Sequence, residues 1–149
     1  MKTIGFKLTI LVYVTCVILL FTLGSCAVKT HFLTSKVVPA AQGTVEVKID
    51  GNKNYVIKIE LSNLSPSSRL TPPSNAYVVW LITDENTSKN LGQLNSSSNF
   101  MSKHLDASFV TVTGSRPAKI IITAENDVNV EYPSFSEIIL TTDYINFKK

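Results

Sequence analysis

Residues 75–84 read NAYVVWLITD, the longest apolar run beyond the N-terminal segment, and they include the only tryptophan, Trp80. β-branched and aromatic residues dominate the run, and Ser, Asn and Asp bound it. This pattern predicts a strand that is buried on both faces at the centre of a sheet. We therefore expect Trp80 in the core. The alternative, an exposed platform for a sugar ring, is less favoured because Val78 and Ile82 share its face.

Six further segments have the composition of strands. Residues 43–61 predict a hairpin, because apolar residues alternate with polar ones on both sides of the turn at 50–53. Gly92 lies inside another predicted strand and indicates a bulge or a close backbone contact. Seven strands without a helical period predict an all-β, two-sheet sandwich. Besides residues 75–84, the predicted strands are 43–49, 55–61, 89–94, 105–113, 118–124 and 137–142.

The connections alternate between tight turns and long polar loops. Successive antiparallel strands place alternate connections at opposite ends of a sandwich, so the long loops should share one end. Long loops on a rigid scaffold are the usual place for recognition, and we expect Arg69, Thr71, Asp127 and Glu131 to contact a partner there. The tight turns are 50–53, 85–88 and 114–117, and the long loops are 62–75, 95–104 and 125–136.

The N-terminus has the pattern of an export signal. A short basic segment precedes an apolar stretch, residues 8–23, that is short for a membrane-spanning helix. Residues 23–26, LGSC, then resemble the lipobox of bacterial lipoproteins. The resemblance implies that residues 1–25 are a lipoprotein signal peptide and that Cys26 is the lipid attachment site. Since Cys16 lies in that signal, the mature chain has no possible internal disulfide.

The same resemblance implies a protein of the bacterial cell envelope that contacts the membrane through its lipid anchor. Ala27 rather than Asp follows the cysteine, which favours an outer-membrane lipoprotein, and no acidic run follows that would favour surface display. We expect the protein to face the periplasm. Residues 26–42 are mostly polar and lack sustained periodicity, so they predict a lipidated tether, and residues 43–149 predict the β-sandwich domain.

The second half of the chain contains, in this order, the segments YVVWLI (77–82), NLGQL (90–94), ITAE (122–125), YPS (132–134) and IILT (138–141). These core residues resemble the extracytoplasmic C-terminal domain of anti-sigma-K factors. That family implies an immunoglobulin-like, antiparallel sandwich of about seven strands. Its zinc-binding, sigma-binding domain and spanning helix have no match in this sequence, so sigma-factor binding is not carried over. The chain also resembles short uncharacterised lipoproteins of the Bacteroidetes type, which implies no activity.

The polar residues do not form a recognisable catalytic or metal-binding pattern. A hydrolase needs two carboxyl groups in paired roles, and nothing in the spacing pairs the candidates. Residues 125–131 have the alternate oxygen ligands of a calcium loop but lack its glycine and closing Glu; in an extended segment Val128 and Val130 would turn inward. His31 and His104 are the only histidines, too few for a transition-metal site. The carboxylate candidates are Asp84, Glu85, Asp106, Glu125, Asp127 and Glu131.

The charge balance excludes one class of partner. Without Lys2 and Lys7 the chain has 12 basic and 11 acidic residues, a net charge of +1, which gives no electrostatic footprint for nucleic acid. We expect a lipid-anchored envelope module without catalytic residues, metal or cofactor that binds an envelope protein or a glycan. The alternatives are a small carbohydrate-processing or other hydrolase domain, and a subunit that is stable only in an assembly.

Overall fold

A computed structural model describes residues 27–94, 96–97 and 106–147. Cys26 and the expected signal peptide lie outside these residues, as does His104. In the described part the protein is all-β, and no helix there is long and apolar enough to cross a membrane. Two short 3-10 helices occur, Ser67–Arg69 and Phe135–Glu137. The strands are β1 (Val28–His31), β2 (Gln42–Ile49), β3 (Tyr55–Ser62), β4 (Ala76–Thr83), β5 (Ser88–Leu94), β6 (Ser96–Ser97), β7 (Asp106–Thr113), β8 (Pro117–Glu125) and β9 (Ile138–Thr141).

The strands form two antiparallel sheets, which confirms the predicted sandwich. The first sheet has the order β1-β2-β3-β7-β6, and the second has the order β5-β4-β8-β9. In the first sheet β2-β3-β7-β6 follow the A-B-E-D order of an immunoglobulin constant-type domain, and in the second β4-β8-β9 follow C-F-G. The two further strands lie at sheet edges, β1 beside β2 and β5 beside β4.

The main core lies between the two sheets and follows the predicted alternation. In β3, Ile57, Ile59 and Leu61 are buried, whereas Lys58 and Glu60 are exposed on the other face. Val45 and Val47 of β2 are also buried, as expected. Each fully buried aliphatic side chain contributes about 1.5–3 kcal/mol relative to exposure, so this alternating face accounts for much of the folding free energy.

Strand β4 is the central strand of the second sheet, and its residues from Ala76 to Leu81 are all buried. Trp80 is 0% exposed, so its predicted burial is confirmed and the sugar-platform alternative is wrong. It does not lie between the sheets. Trp80 packs with Val78 and Ile121 in a second, smaller apolar cluster on the outer face of the second sheet. That face therefore needs its own cover.

The segment expected to be a tether is part of the domain. Strand β1 pairs with β2 from Val28↔Val47 to His31↔Thr44. Further along, Val38 is buried, and its backbone N–H donates to Ser35 Oγ at 2.9 Å. The tether prediction is thus wrong for residues 28–42. A four-residue edge strand is too short to show a period of two in a single sequence, so pattern reading missed it.

The ends of the sandwich differ as the loop lengths predicted. One tight turn joins the paired residues Ile49 and Tyr55, and another joins Ile82 and Ser88 at the same end, which we call the tight-turn end. Residues 63–75 and 126–137 both start from the opposite, long-loop end. There the Asn75 side-chain amide donates to the backbone carbonyl of Asn126 at 2.9 Å. The third long loop, 95–104, is described only at Ser96–Ser97, which form β6.

Candidate functional site

Residues 126–137, which we call the covering loop, do not project from the long-loop end. They fold back across the outer face of the second sheet. Val128 and Val130 pack against the cluster around Trp80, while Asp127, Asn129 and Glu131 are exposed. The predicted inward orientation of the two valines is confirmed. The loop therefore buries the apolar outer face that β4 and β8 present.

The side chain of Asn90 fixes the covering loop to the sheet. Its Nδ2 donates to the backbone carbonyls of Val128 and Val130 at 2.9 and 3.0 Å. Its Oδ1 accepts the backbone N–H of Gly92 at 2.9 Å. The β4–β5 register shifts beside Asn90, which confirms the predicted bulge, and Gly92 has φ +123°, a conformation that side chains other than glycine rarely adopt. This local geometry sets the position of the amide.

A buried carboxylate holds the other end of the covering loop. Glu125 is 4% exposed, and its Oε1 accepts the hydroxyl of Thr123 at 2.6 Å and the backbone N–H of Ser134 at 2.9 Å. Its Oε2 accepts the Ser134 hydroxyl at 2.8 Å. Thr123 in turn accepts Trp80 Nε1–H at 2.9 Å. Both carboxylate oxygens of Glu125 therefore bind protein donors, and Glu125 does not point to solvent as the first ligand of a calcium loop would.

Beside the covering loop, an open groove of about 770 Å³ lies on the outer face of the second sheet, near the tight-turn end. Three of its lining residues are aromatic and strongly exposed: Tyr132 at 74%, Phe135 at 66% and Tyr144 at 67%. Tyr132 and Phe135 belong to the covering loop, and Tyr144 follows β9. We call this surface the aromatic groove.

The remaining lining of the aromatic groove is apolar at its floor and polar at its rim. Ile82, Ile121 and Ile138 line it from the sheet. The turn after β4 adds Asn86 and Thr87, and the remaining lining residues, Ser88, Lys119 and Thr141, come from β5, β8 and β9. Lys119 Nζ lies 4.6 Å from the centroid of the Tyr144 ring, a cation–π contact.

The segment after β9 is held in place by backbone bonds to β8. The Thr142 N–H donates to the carbonyl of Ile120 at 3.0 Å, and the Ile145 N–H donates to that of Ala118 at 2.8 Å. The Ile145 side chain is buried in the main core. Tyr144, between these two anchoring points, therefore projects from an ordered backbone into the aromatic groove.

The four residues expected to contact a partner do not meet in one place. Thr71 lines a cleft of about 90 Å³ at the long-loop end together with Glu137. Glu131 lines a different, shallow groove beside Asn90 and β5. Arg69 is exposed in a 3-10 helix, and exposed Asp127 accepts the backbone N–H of Asn129 at 2.9 Å in its own loop. All four are accessible, but the structure gives them no shared site.

The other polar candidates are placed in separate surroundings. Asp84 lies 3.6 Å from Arg116 in an exposed ion pair. His31 is exposed on the edge strand β1. Across the described ranges, no group of three or more His, Cys, Asp or Glu side chains is arranged to hold a metal ion.

Sequence reasoning missed the aromatic groove. Among the three aromatic residues, sequence reasoning used Tyr132 only as part of a family resemblance and did not single out Phe135 or Tyr144. The available signal was the presence of aromatic residues in segments without strand alternation, where no core position accounts for them. No protein-family model, no curated protein and no solved structure matches this chain.

Proposed function

We propose that the protein is a lipid-anchored binding module of the bacterial cell envelope, without catalytic activity, and that the aromatic groove is its recognition surface. One observation carries the proposal: three strongly exposed aromatic side chains from two chain segments line the same groove. Single exposed apolar residues are ordinary, whereas a cluster rimmed by polar groups marks an interaction site. Aromatic residues are also the side chains most enriched at binding hot spots.

The groove is formed before any ligand binds. Asn90 and Glu125 hold the covering loop at two separate places, and Val128 and Val130 pack beneath it. The backbone after β9 is bonded to β8 on the other side. Binding therefore does not have to order these segments, and less of the interaction free energy is lost to conformational entropy.

The geometry gives less support to the hydrolase alternative. The described residues that line the groove include no Asp or Glu. Glu125, the one buried carboxylate in the described part of the chain, already accepts three hydrogen bonds. A glycosidase of the usual kind places two carboxyl groups on opposite sides of the scissile bond, and the groove offers no such pair.

The membrane anchor rests on Cys26 and the lipobox resemblance. We propose an outer-membrane lipoprotein that faces the periplasm and binds an envelope protein or glycan. Radiolabelled palmitate should enter the wild-type protein but not Cys26→Ala, and membrane fractionation should follow the label. Label that persists in the variant, or a mature mass that begins at another residue, would contradict the anchor without affecting the groove.

A pair of matched double variants tests the groove. Tyr132→Ala with Phe135→Ala removes two exposed aromatic side chains, whereas Val110→Ala with Val112→Ala removes two exposed side chains from the first sheet, 62% and 57% exposed. Both variants should fold. After mild crosslinking in intact cells, the first should lose co-purifying envelope components and the second should retain them. If the Tyr132→Ala, Phe135→Ala variant still co-purifies the same envelope components, recognition lies instead at the long-loop end. Replacing residues 65–73 with a Gly-Ser linker would then abolish co-purification.

A further inference from the structure

We propose that the aromatic groove binds an acidic oligosaccharide, with sugar rings stacked on Tyr132 and Phe135 and a sugar carboxylate at Lys119. The inference rests on the proposed function, because it names the ligand class of the same groove. Ring chemistry, the polar rim, the charge and the size of the groove each support it.

The aromatic rings are available for stacking. Within the described residues the one aromatic pair is Tyr55–Phe147, with ring centroids 5.6 Å apart, so Tyr132 and Phe135 do not pair with each other or with Tyr144. An aromatic face carries negative charge density and attracts polarised C–H groups. A sugar ring presents such C–H groups on one face and hydroxyls at its edge. Separate, exposed rings suit separate sugar units better than a single compact apolar group.

The polar rim suits a ligand with hydroxyl groups. Asn86 and Thr87 are exposed in the turn between β4 and β5. Their backbone is fixed, because the Asn86 N–H donates to the Thr83 carbonyl at 2.9 Å and the Thr87 N–H donates to Thr83 Oγ1 at 3.2 Å. A fixed turn beside stacked rings places amide and hydroxyl groups where the edges of a sugar would lie. A wholly apolar ligand would instead remove them from water without compensation.

The charge of the groove favours an anionic ligand. Lys119 is the one charged side chain among the described residues that line the groove. Its contact with the Tyr144 ring, at 4.6 Å, positions the ammonium group without neutralising it. Charge complementarity at binding sites steers association and excludes ligands of the wrong charge. A carboxylate on the sugar would supply the missing partner.

The size of the groove also favours a chain of sugars over a protein surface. Its volume of about 770 Å³ falls within the range of pockets for small ligands. A stable protein–protein interface needs roughly 800 Å² from each partner, usually from a flatter and larger surface. The occupant we commit to is therefore a short stretch of acidic glycan.

Calorimetric titration of the full chain, purified in a mild detergent, tests the inference with defined probes. The acidic probes are oligosaccharides of alginate, polygalacturonate and hyaluronan, and the neutral control is malto-oligosaccharides of the same length. At least one acidic probe should bind about tenfold more tightly than the neutral control, and the preference should shrink as salt is raised. Lys119→Gln should remove the preference, Phe135→Ala should weaken binding about tenfold, and Val110→Ala should change nothing.

The results that would overturn the inference differ in what they leave standing. Equal binding of neutral and acidic probes, or a preference that survives Lys119→Gln, would refute the acidic character of the ligand. If no sugar binds, but the groove variants still fail to co-purify envelope components, the occupant is a protein and the proposed function stands. If the groove variants also retained capture, the proposed function itself would fall.

Discussion

Replacement of Glu125 tests whether hydrogen-bond geometry or negative charge secures the covering loop. In Glu125→Ala, three donors lose their acceptor: the Thr123 hydroxyl and the Ser134 N–H and hydroxyl. An unsatisfied buried donor destabilises by about 1–3 kcal/mol. Thr123 is fully buried, whereas water can reach half-buried Ser134, so we expect a loss of about 3–5 kcal/mol in the free energy of unfolding.

Glu125→Gln is the matched variant, because it keeps the shape of the side chain. Its Oε1 still accepts the Thr123 hydroxyl and the Ser134 N–H, and its new amide donates to the Ser134 hydroxyl oxygen, since that hydroxyl can rotate. All three charge-assisted bonds become neutral, but the cost of burying the carboxylate charge is removed at the same time, so we expect stability to fall by only about 1–2 kcal/mol.

Urea denaturation followed by the fluorescence of Trp80 measures both changes, since Trp80 is the only tryptophan and belongs to the same hydrogen-bonded chain. A loss below about 1 kcal/mol for Glu125→Ala would show that Ser134 is not held by the carboxylate. Equal losses for Ala and Gln would show that charge matters more than the hydrogen-bond arrangement, which would refute the reasoning.

Three further predictions concern residues around the same sheet. Trp80→Ala should lower stability by about 3–5 kcal/mol by circular dichroism melting; a loss under about 1 kcal/mol would be incompatible with its burial. Asn90→Ala should expose the covering loop to limited proteolysis while the strands stay protected from hydrogen exchange. Equal protection of the loop in the variant and the wild type would show that the Asn90 hydrogen bonds do not hold the loop on the sheet. Burial raises the pKa of Tyr77 to about 12 while its hydroxyl donates to the Ser65 carbonyl at 2.7 Å. The folded state thus binds this proton more tightly than the unfolded state, so the free energy of unfolding should fall by up to about 1.4 kcal/mol per pH unit between about pH 10 and 12. Tyr77→Phe should remove that part of the alkaline loss, which a comparison of urea midpoints across this pH range measures.

Much of the fold followed from local patterns. The alternation in β2 and β3 and the two-faced run of β4 depend only on neighbouring residues, so one sequence was enough to place them. Strands β1 and β6 were missed because four and two residues are too few to show a period. The fold-back of the covering loop depends on Asn90 bonding to Val128, 38 residues further along the chain. Local pattern reading has no access to such a contact.

The site was predictable only in part, for the same reason. Arg69 and Asp127 were chosen because polar loops on a scaffold often recognise partners, and both are exposed as expected. Composition does not say which loop folds back on a sheet. The aromatic groove joins Phe135, Tyr144 and Lys119 from a loop, a segment after β9 and a strand, and only the tertiary arrangement brings these together.

The position of β1 fixes how an anchored domain would stand on a membrane. Val28 pairs with Val47, close to the tight-turn end of β2, and only Ala27 separates it from Cys26. A link of two residues spans at most about 7 Å, so an acyl group on Cys26 would hold the tight-turn end against the bilayer and prevent the domain from turning over. The aromatic groove would then open close to the lipid headgroups, with the loop that carries Arg69 pointing away. A ligand of the groove would have to be rooted in the membrane or long enough to reach its surface.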